Sequence, residues 1–157
     1  MRLDYRMTLP AASRAMATLE DVVRSSTLEP ELVELVKLRA SQINGCAYCV
    51  DMHSKDARAM GEDEQRLHLI AVWRGAPVFT PRERAALAWT EALTRLPETG
   101  APPDAYEAIA SAFNAVEQVA LTLAIVAING WNRLAVGFRQ PVGSYTSHRH
   151  PALEAVR

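Results

Sequence analysis

Apolar residues recur at helical spacing along most of this chain, and no stretch alternates between apolar and polar residues as a strand would. After Pro10, for example, Met16, Leu19 and Val22 share one face of a helix predicted over about 10–24. The same reasoning predicts further helices over about 30–43, 46–61, 62–73, 81–96, 103–114 and 115–137. We therefore expect an all-α fold of about six to seven helices.

Local start and stop signals support several of these boundaries. The run from Thr80 to Glu83 has the capping-box pattern, with proline at the first helical position. Pro97 is expected to end the helix that starts there. Asn114 and Glu117 repeat the capping pattern at the start of the last helix.

Size and composition indicate one globular domain. The chain has 157 residues, of which 49% are hydrophobic, and this excludes general disorder. The helical pattern dissolves after about residue 140. We therefore predict a helical domain over residues 1–140 and a tail over 141–157 that is either mobile or docked on a partner.

Charge and hydropathy narrow the choice of partner and location. Seventeen basic and eighteen acidic residues give a net charge of -1, and no basic block suggests nucleic acid. The first residues lack the apolar segment that a secretory signal peptide requires. The longest apolar stretch, Val119 to Ile128, is about half of what a membrane span requires. We expect a soluble cytoplasmic protein whose partners are proteins or small molecules.

The two cysteines of the chain, Cys46 and Cys49, stand close to His53. On a helical wheel of ~100° per residue with Cys46 at zero, Cys49 falls near -60° and His53 near -20°. Two thiols and a base therefore share one face, which is also the apolar one. In a reducing cytosol such a pair is more often catalytic or metal-binding than structural.

The start of the cysteine helix favours a reactive thiol. Asn44 and Gly45 form a turn signal that would stop one helix and start the next at about Cys46. Unpaired N–H groups and the helix dipole then lie close to the Cys46 sulfur. This position lowers a thiol pKa from its usual ~8.5, and so does a nearby protonated imidazole.

Three segments carry a resemblance to a known family. They are Glu34 with the run Leu38 to His53, the run Arg82 to Trp89, and the run Ile128 to Leu134. The chain resembles the AhpD-like alkylhydroperoxidases of the carboxymuconolactone decarboxylase family over about residues 10 to 140. The resemblance implies a compact all-α fold, homo-oligomers, and thiol peroxidase or disulfide reductase activity.

The resemblance also assigns roles to individual residues. Cys49 would attack a small hydroperoxide, Cys46 would resolve the product to a disulfide, and Glu34 with His53 would form a proton relay. The best-studied peroxidases of the family have histidine where this chain has Tyr48. No nicotinamide or flavin fingerprint occurs, so no cofactor is expected. Electrons would come from a dithiol carrier protein or a small thiol.

Other interpretations of the cysteine helix remain open. The helix terminus favours Cys46 as the more acidic thiol, whereas Cys49 has His53 four residues on. The pair, His53 and a carboxylate could instead bind zinc, although no second cysteine pair exists and we assign no metal site. A non-redox enzyme of the same family is a further alternative, although such members generally lack the pair. A non-enzymatic metal-binding or interaction protein is the third.

Glu34 and several residues elsewhere have ordinary structural interpretations. The wheel places Glu34 on a polar face with Glu31, Lys37 and Ser41, so the pattern alone predicts a solvated side chain. The last helix contains four residues, Asn129, Trp131, Asn132 and Arg133, that could line a pocket, join a polar network or lie at a subunit contact. Three further histidines, His68, His148 and His150, are expected to be ordinary surface residues.

Overall fold

A computed structural model of the chain describes residues 1–148, and all regular structure within them is helical. The all-α prediction is therefore confirmed. The α-helices are α1 Tyr5–Thr8, α2 Pro10–Arg24, α3 Pro30–Ile43, α4 Ala47–Ala59, α5 Glu64–Leu69, α6 Pro81–Thr94, α7 Leu96–Thr99, α8 Pro103–Ala112 and α9 Ala115–Gly137. A 3-10 helix, Ile70–Gly75, connects α5 to the loop before α6.

The predicted number of six to seven helices is wrong, because the described residues contain nine α-helices. Two of the additional helices, α1 and α7, have only four residues each and are too short to show an apolar period. α1 forms because the Asp4 carboxylate accepts the N–H groups of Arg6 and Met7. Pro97 does not simply end a helix, since it occupies the first turn of α7.

The segment predicted as one helix over 62–73 is divided. α5 ends at Leu69, and the chain continues as the 3-10 helix, in which Val72 has non-helical angles of φ -121° and ψ 26°. By contrast, α2 and α3 have the predicted bounds, and both capping boxes form. Proline at the first helical position and the capping boxes are thus the most reliable signals of this chain.

α3 is the central helix and packs against α4, α6 and α9. Its apolar side chains, including Leu35 and Val36, enter two hydrophobic clusters. Its opposite side is polar but is also buried, because α2, α4 and α9 cover it with matching polar groups. Burial on all sides explains why a wheel built on one apolar stripe misjudges this helix.

α9 is the longest helix, with 23 residues. Within the described part of the chain it is the one helix that is long and apolar enough to cross a membrane. Half of its most apolar stretch is buried inside the protein. α9 therefore has the surroundings of a core helix, since Leu121, Ile125 and Ile128 are fully buried.

The chain after α9 runs back over α4 without regular structure as far as His148. Tyr145 and Ser147 form hydrogen bonds to Asp56 of α4. The division into a domain over 1–140 and a tail over 141–157 stays a prediction. Residues 149–157, and His150 with them, lie outside the described residues.

Candidate active site

A tight turn between α3 and α4 places the cysteine pair. Gly45 has a φ of 64°, a left-handed conformation that favours glycine. The Gly45 N–H donates to the Gln42 carbonyl at 3.2 Å and the Cys46 N–H donates to the Ser41 carbonyl at 2.9 Å. This is the hydrogen-bond pattern of a Schellman motif, so one left-handed residue both ends α3 and positions the first cysteine.

Cys46 is the N-cap of α4 and therefore lies just outside the helix, with φ -84° and ψ 89°. Its sulfur accepts the backbone N–H of Cys49 at 3.3 Å. The two cysteines form a disulfide with a Cα–Cα distance of 5.3 Å. The non-helical backbone at Cys46 provides the adjustment that two helical positions three apart would need to be joined.

His53 and Glu34 are hydrogen-bonded to each other. The Nδ1 atom of His53 lies 2.7 Å from Oε2 of Glu34. Glu34 is 0% exposed and His53 is 4% exposed. The interpretation of Glu34 as a solvated residue is therefore wrong, because α4 packs over the polar side of α3. A carboxylate at Nδ1 orients the imidazole and selects the tautomer that carries its proton there.

The rest of the polar side of α3 is buried in the same way. Lys37 forms an ion pair with Glu20 of α2, and both side chains are largely buried. Ser41 accepts a hydrogen bond from the Asn132 amide of α9 at 3.1 Å. Each buried polar group of this face thus meets a partner from a different neighbouring helix, as burial requires.

A cavity of about 240 Å³ opens beside the cysteine pair. Cys49 lines it, whereas Cys46 does not. Both cysteines are nearly fully buried, at 2% and 1% exposure. The further residues that line the cavity include Tyr5, Arg6, Glu34, Tyr48, His53 and Trp131. Of the two cysteines, Cys49 is thus the one that a small molecule in the cavity can approach.

Tyr48, the residue between the cysteines, forms an aromatic wall of this cavity. The Arg6 guanidinium lies 5.9 Å from the centre of its ring, and 5.7 Å from the ring of Tyr5. The Arg6 guanidinium is therefore held at the cavity by aromatic faces.

Asp56 is a site residue that the sequence analysis missed. It is 5% exposed, lines the cavity, and lies one turn beyond His53 on α4. A signal was available, because the same helical wheel places it only about 20° from Cys49. Position on the thiol face, rather than similarity to a known motif, would have identified it.

The asparagines of α9 form a network behind the cysteine turn. The amide nitrogen of Asn44 donates to Asn129 at 3.0 Å and to Asn132 at 2.8 Å. This network fixes the turn to α9 and satisfies the buried amides. Trp131 lines the cavity, whereas Arg133 is exposed and donates to the Asn129 carbonyl at 2.7 Å. Of the surface histidines, His68 is exposed and lies near Glu64.

Three residues of the site offer potential metal ligands. One ligand atom from each of Glu34, His53 and Asp56 lies within 4.8 Å of the other two. The carboxylates already accept hydrogen bonds, Glu34 from His53, and Asp56 from Tyr145 and Ser147. The cysteines of the zinc alternative are joined to each other as a disulfide. The arrangement suits proton transfer and thiol chemistry better than metal binding.

Comparison with known proteins agrees with the site. A model of the carboxymuconolactone decarboxylase family matches residues 10–92, which include Glu34, the cysteine pair and His53. A Bacillus subtilis protein, the uncharacterized protein YdfG, is 36% identical over 86% of this chain and 92% of its own length. The chain belongs to the carboxymuconolactone decarboxylase family.

Solved structures place the chain within this family's AhpD-like fold. A crystal structure of an Agrobacterium tumefaciens protein of unknown function, provisionally named an antioxidant defence protein AhpD, is 50% identical with a TM-score of 0.88. The match covers 92% of this chain and 99% of that one. The debrominase Bmp8 has a TM-score of 0.78 at 17% identity, over 87% of this chain and 74% of its own. That second likeness shows the fold alone.

Proposed function

We propose that this member of the carboxymuconolactone decarboxylase family is a thiol peroxidase that reduces small hydroperoxides with its cysteine pair. One observation carries the proposal. Cys49 lines the cavity beside the Glu34–His53 pair, whereas Cys46 does not line the cavity and is joined to Cys49 by the disulfide. The A. tumefaciens structure, at 50% identity, is provisionally named for antioxidant defence and supports the same assignment.

The first step takes place at Cys49. His53 accepts the proton of the Cys49 thiol, while Glu34 at Nδ1 stabilises the imidazolium that forms. The Cys49 thiolate attacks the terminal oxygen of the hydroperoxide, the O–O bond breaks, and the proton from His53 passes to the leaving alkoxide. The products are an alcohol and a sulfenic acid on Cys49.

Cys46 completes the oxidation. Its sulfur attacks the sulfenic sulfur of Cys49, releasing water and forming the disulfide that the structure contains. The two residues are already 5.3 Å apart at Cα, and Cys46 lies outside the helix. Little movement is therefore required, which protects the sulfenic acid from further oxidation by a second peroxide.

Reduction also begins at the cavity. An external dithiol, from a carrier protein or a small thiol, attacks Cys49 because that sulfur faces the cavity. Cys46 then leaves as the thiolate, and the backbone N–H of Cys49 stabilises its charge. The helix terminus thus makes Cys46 a good leaving group rather than the thiol that attacks the peroxide. The second thiol of the carrier, or a second molecule of the small thiol, releases Cys49, and two electrons have been transferred.

A thiol count tests this proposal directly. The reduced protein is mixed with one equivalent of an alkyl hydroperoxide, and free thiols are counted before and after. We expect two thiols to be lost as one intramolecular disulfide, with one equivalent of alcohol formed. If both thiols survive a long incubation, the peroxidase assignment fails, and a non-redox activity of the same family becomes the better hypothesis.

A further inference from the structure

Asp56 is a second buried carboxylate in the cavity, and the peroxidase steps above give it no role. It follows His53 by three residues on α4, so both side chains lie on one face of the helix. One atom from each of Asp56, His53 and Glu34 lies within 4.8 Å of the others. Asp56 is therefore close enough to act on the charge of His53.

The hydrogen bonds to Asp56 come from the segment that follows α9. The Tyr145 hydroxyl lies 2.8 Å from Oδ1 and 3.0 Å from Oδ2, and the Ser147 hydroxyl donates to Oδ1 at 2.6 Å. The Lys55 ammonium donates to the Tyr145 carbonyl at 2.9 Å and also bonds to Asp51. Residues 145–147 are thus attached to α4 at the site itself.

We propose that Asp56 is a positioning residue for His53, and that Tyr145 and Ser147 hold it in that role and so make the segment after α9 part of the active site. This rests on the proposed thiol chemistry, in which His53 accepts the Cys49 proton. It adds a third group to the relay, one that the family resemblance does not assign.

His53 becomes a positively charged imidazolium when it accepts a proton. Glu34 lies against Nδ1, and a negative charge at Asp56 adds to the same stabilisation. The hydroxyl groups of Tyr145 and Ser147 donate to the carboxylate of Asp56 and fix its position close to His53.

Other charges around the cavity do not supply this effect. Besides Glu34 and Asp56, the charged residues that line it are Arg6, Glu20, Arg24 and Lys37. Lys37 is paired with Glu20, and Arg24 with Asp21. The hydrogen bond from Lys55 to the Tyr145 carbonyl would already be enough to anchor the segment. Anchoring at a buried carboxylate of the cavity links the segment to the chemistry.

The test measures alkylation of Cys49 by iodoacetamide as a function of pH in a Cys46→Ser background, which leaves one thiol. We expect Tyr145→Phe combined with Ser147→Ala to slow alkylation at pH 7 by about tenfold, the change produced by a one-unit rise in the thiol pKa. Rates should become equal above the thiol pKa. Asp56→Asn should act in the same direction.

A matched control removes one tyrosine hydroxyl and one serine hydroxyl from residues that do not line the cavity. It tests whether the slower alkylation is specific to Tyr145 and Ser147. Tyr106 is exposed on α8, and the Ser111 hydroxyl bonds to a backbone carbonyl on the same helix. Tyr106→Phe with Ser111→Ala should leave the pH profile unchanged. If Asp56→Asn does not fold, Tyr145→Phe alone decides the question, because it removes a single oxygen atom.

Two results would overturn the inference. One is a profile for Tyr145→Phe with Ser147→Ala that matches the background at every pH. The other is an alkylation rate that is slower by the same factor at every pH. This would mean that iodoacetamide reaches Cys49 less easily while proton transfer is unchanged. Neither result depends on peroxide, so the thiol count of the wild-type protein can succeed while this inference fails, or the reverse.

Discussion

The Nδ1 atom of His53 lies 2.7 Å from the Oε2 atom of Glu34, although the two residues belong to different helices. Because Nδ1 is engaged, Nε2 is the ring atom available for proton transfer. Nε2 is buried and has no hydrogen-bond partner among residues 1–148. A buried ring nitrogen of this kind, on a residue that lines the same cavity as Cys49, supports the general-base role proposed for His53.

Loss of the Glu34 charge should weaken the relay. Glu34→Gln keeps the shape of the side chain, and we expect slower alkylation of Cys49 at neutral pH because the apparent thiol pKa rises. His53→Ala should be slower still, by about 10²–10⁴-fold, the usual contribution of a general base. Iodoacetamide kinetics across the pH range provide the measurement.

Glu31→Gln is the matched control for this experiment, since Glu31 lies on the same helix but is exposed. It should react like wild type. Equal rates for Glu34→Gln and wild type at every pH would mean that Glu34 has only a structural role in the buried interface of α3 and α4.

The two cysteines should differ in the intermediates that they accumulate. Cys46→Ser should leave a sulfenic acid on Cys49 after peroxide treatment, because no resolving thiol remains, and dimedone should label it. Cys49→Ser should abolish turnover, since the remaining Cys46 sulfur does not line the cavity. A dimedone adduct on Cys46 in the second variant, with none on Cys49 in the first, would reverse the assigned roles.

The left-handed turn before Cys46 should be sensitive to a single methyl group. Gly45→Ala places a Cβ on a residue with φ 64°, which costs about 1–2 kcal/mol in a left-handed conformation. Denaturant unfolding of the reduced protein measures the loss. Gly75→Ala is the control, because its Cβ also meets nothing within 4 Å but no left-handed φ is involved. Equal stabilities of the two variants would contradict this account.

Much of the fold could be predicted from sequence because its signals are local. The bounds of α2 and α3 and the caps of α6 and α9 depend on prolines and capping side chains, which act within one turn. α1 and α7 could not be predicted, since four residues have no period. Their formation depends on one cap or one proline.

The site was predicted only in part because burial depends on tertiary packing. Cys46, Cys49 and His53 share a helix, so local geometry brings them together. Glu34 needed the family resemblance, because a polar face looks solvated until another helix covers it. Tyr145 and Ser147 approach Asp56 from about 90 residues away through an irregular segment, and no periodicity describes such a contact.

Acid should destabilise the protein partly through Glu91. Burial alone would raise the pKa of Glu91, but hydrogen bonds from Arg74, Trp73 and Arg39 outweigh burial and lower this pKa below its ordinary 4.5. The unfolded chain therefore takes up the proton first as pH falls. The stability from Glu91 is present above about pH 4.5 and is lost as pH falls through the lower, folded pKa.

Glu91→Gln should therefore lower the free energy of unfolding by about 1.5–3 kcal/mol at neutral pH, the usual range for hydrogen bonds to a charged group. It should also flatten the loss of stability below pH 4.5. Denaturant unfolding between pH 7 and pH 3 measures both effects. Glu98→Gln, at an exposed residue, is the control. An acid profile of Glu91→Gln that parallels wild type would contradict the prediction.

The protein should form homo-oligomers through the exposed side of α9. Val119 and Val126 are seven residues apart on one face and are 61% and 52% exposed. We expect sedimentation at micromolar concentration to give a species heavier than 17.3 kDa, and Val119→Lys with Val126→Lys to reduce its mass. Val72→Lys, on the 3-10 helix, should have no such effect. A wild-type species of 17.3 kDa would end this hypothesis.

The position of the disulfide has a thermodynamic consequence. It joins residues only three apart, so it closes a very short loop and restricts the unfolded chain little. Chain entropy then gives a stabilisation on the order of 2 kcal/mol, against larger values for long loops. The oxidised form should therefore be only modestly more stable than the reduced form. In the proposed peroxidase cycle, each oxidation or reduction would change the free energy of unfolding by only this amount.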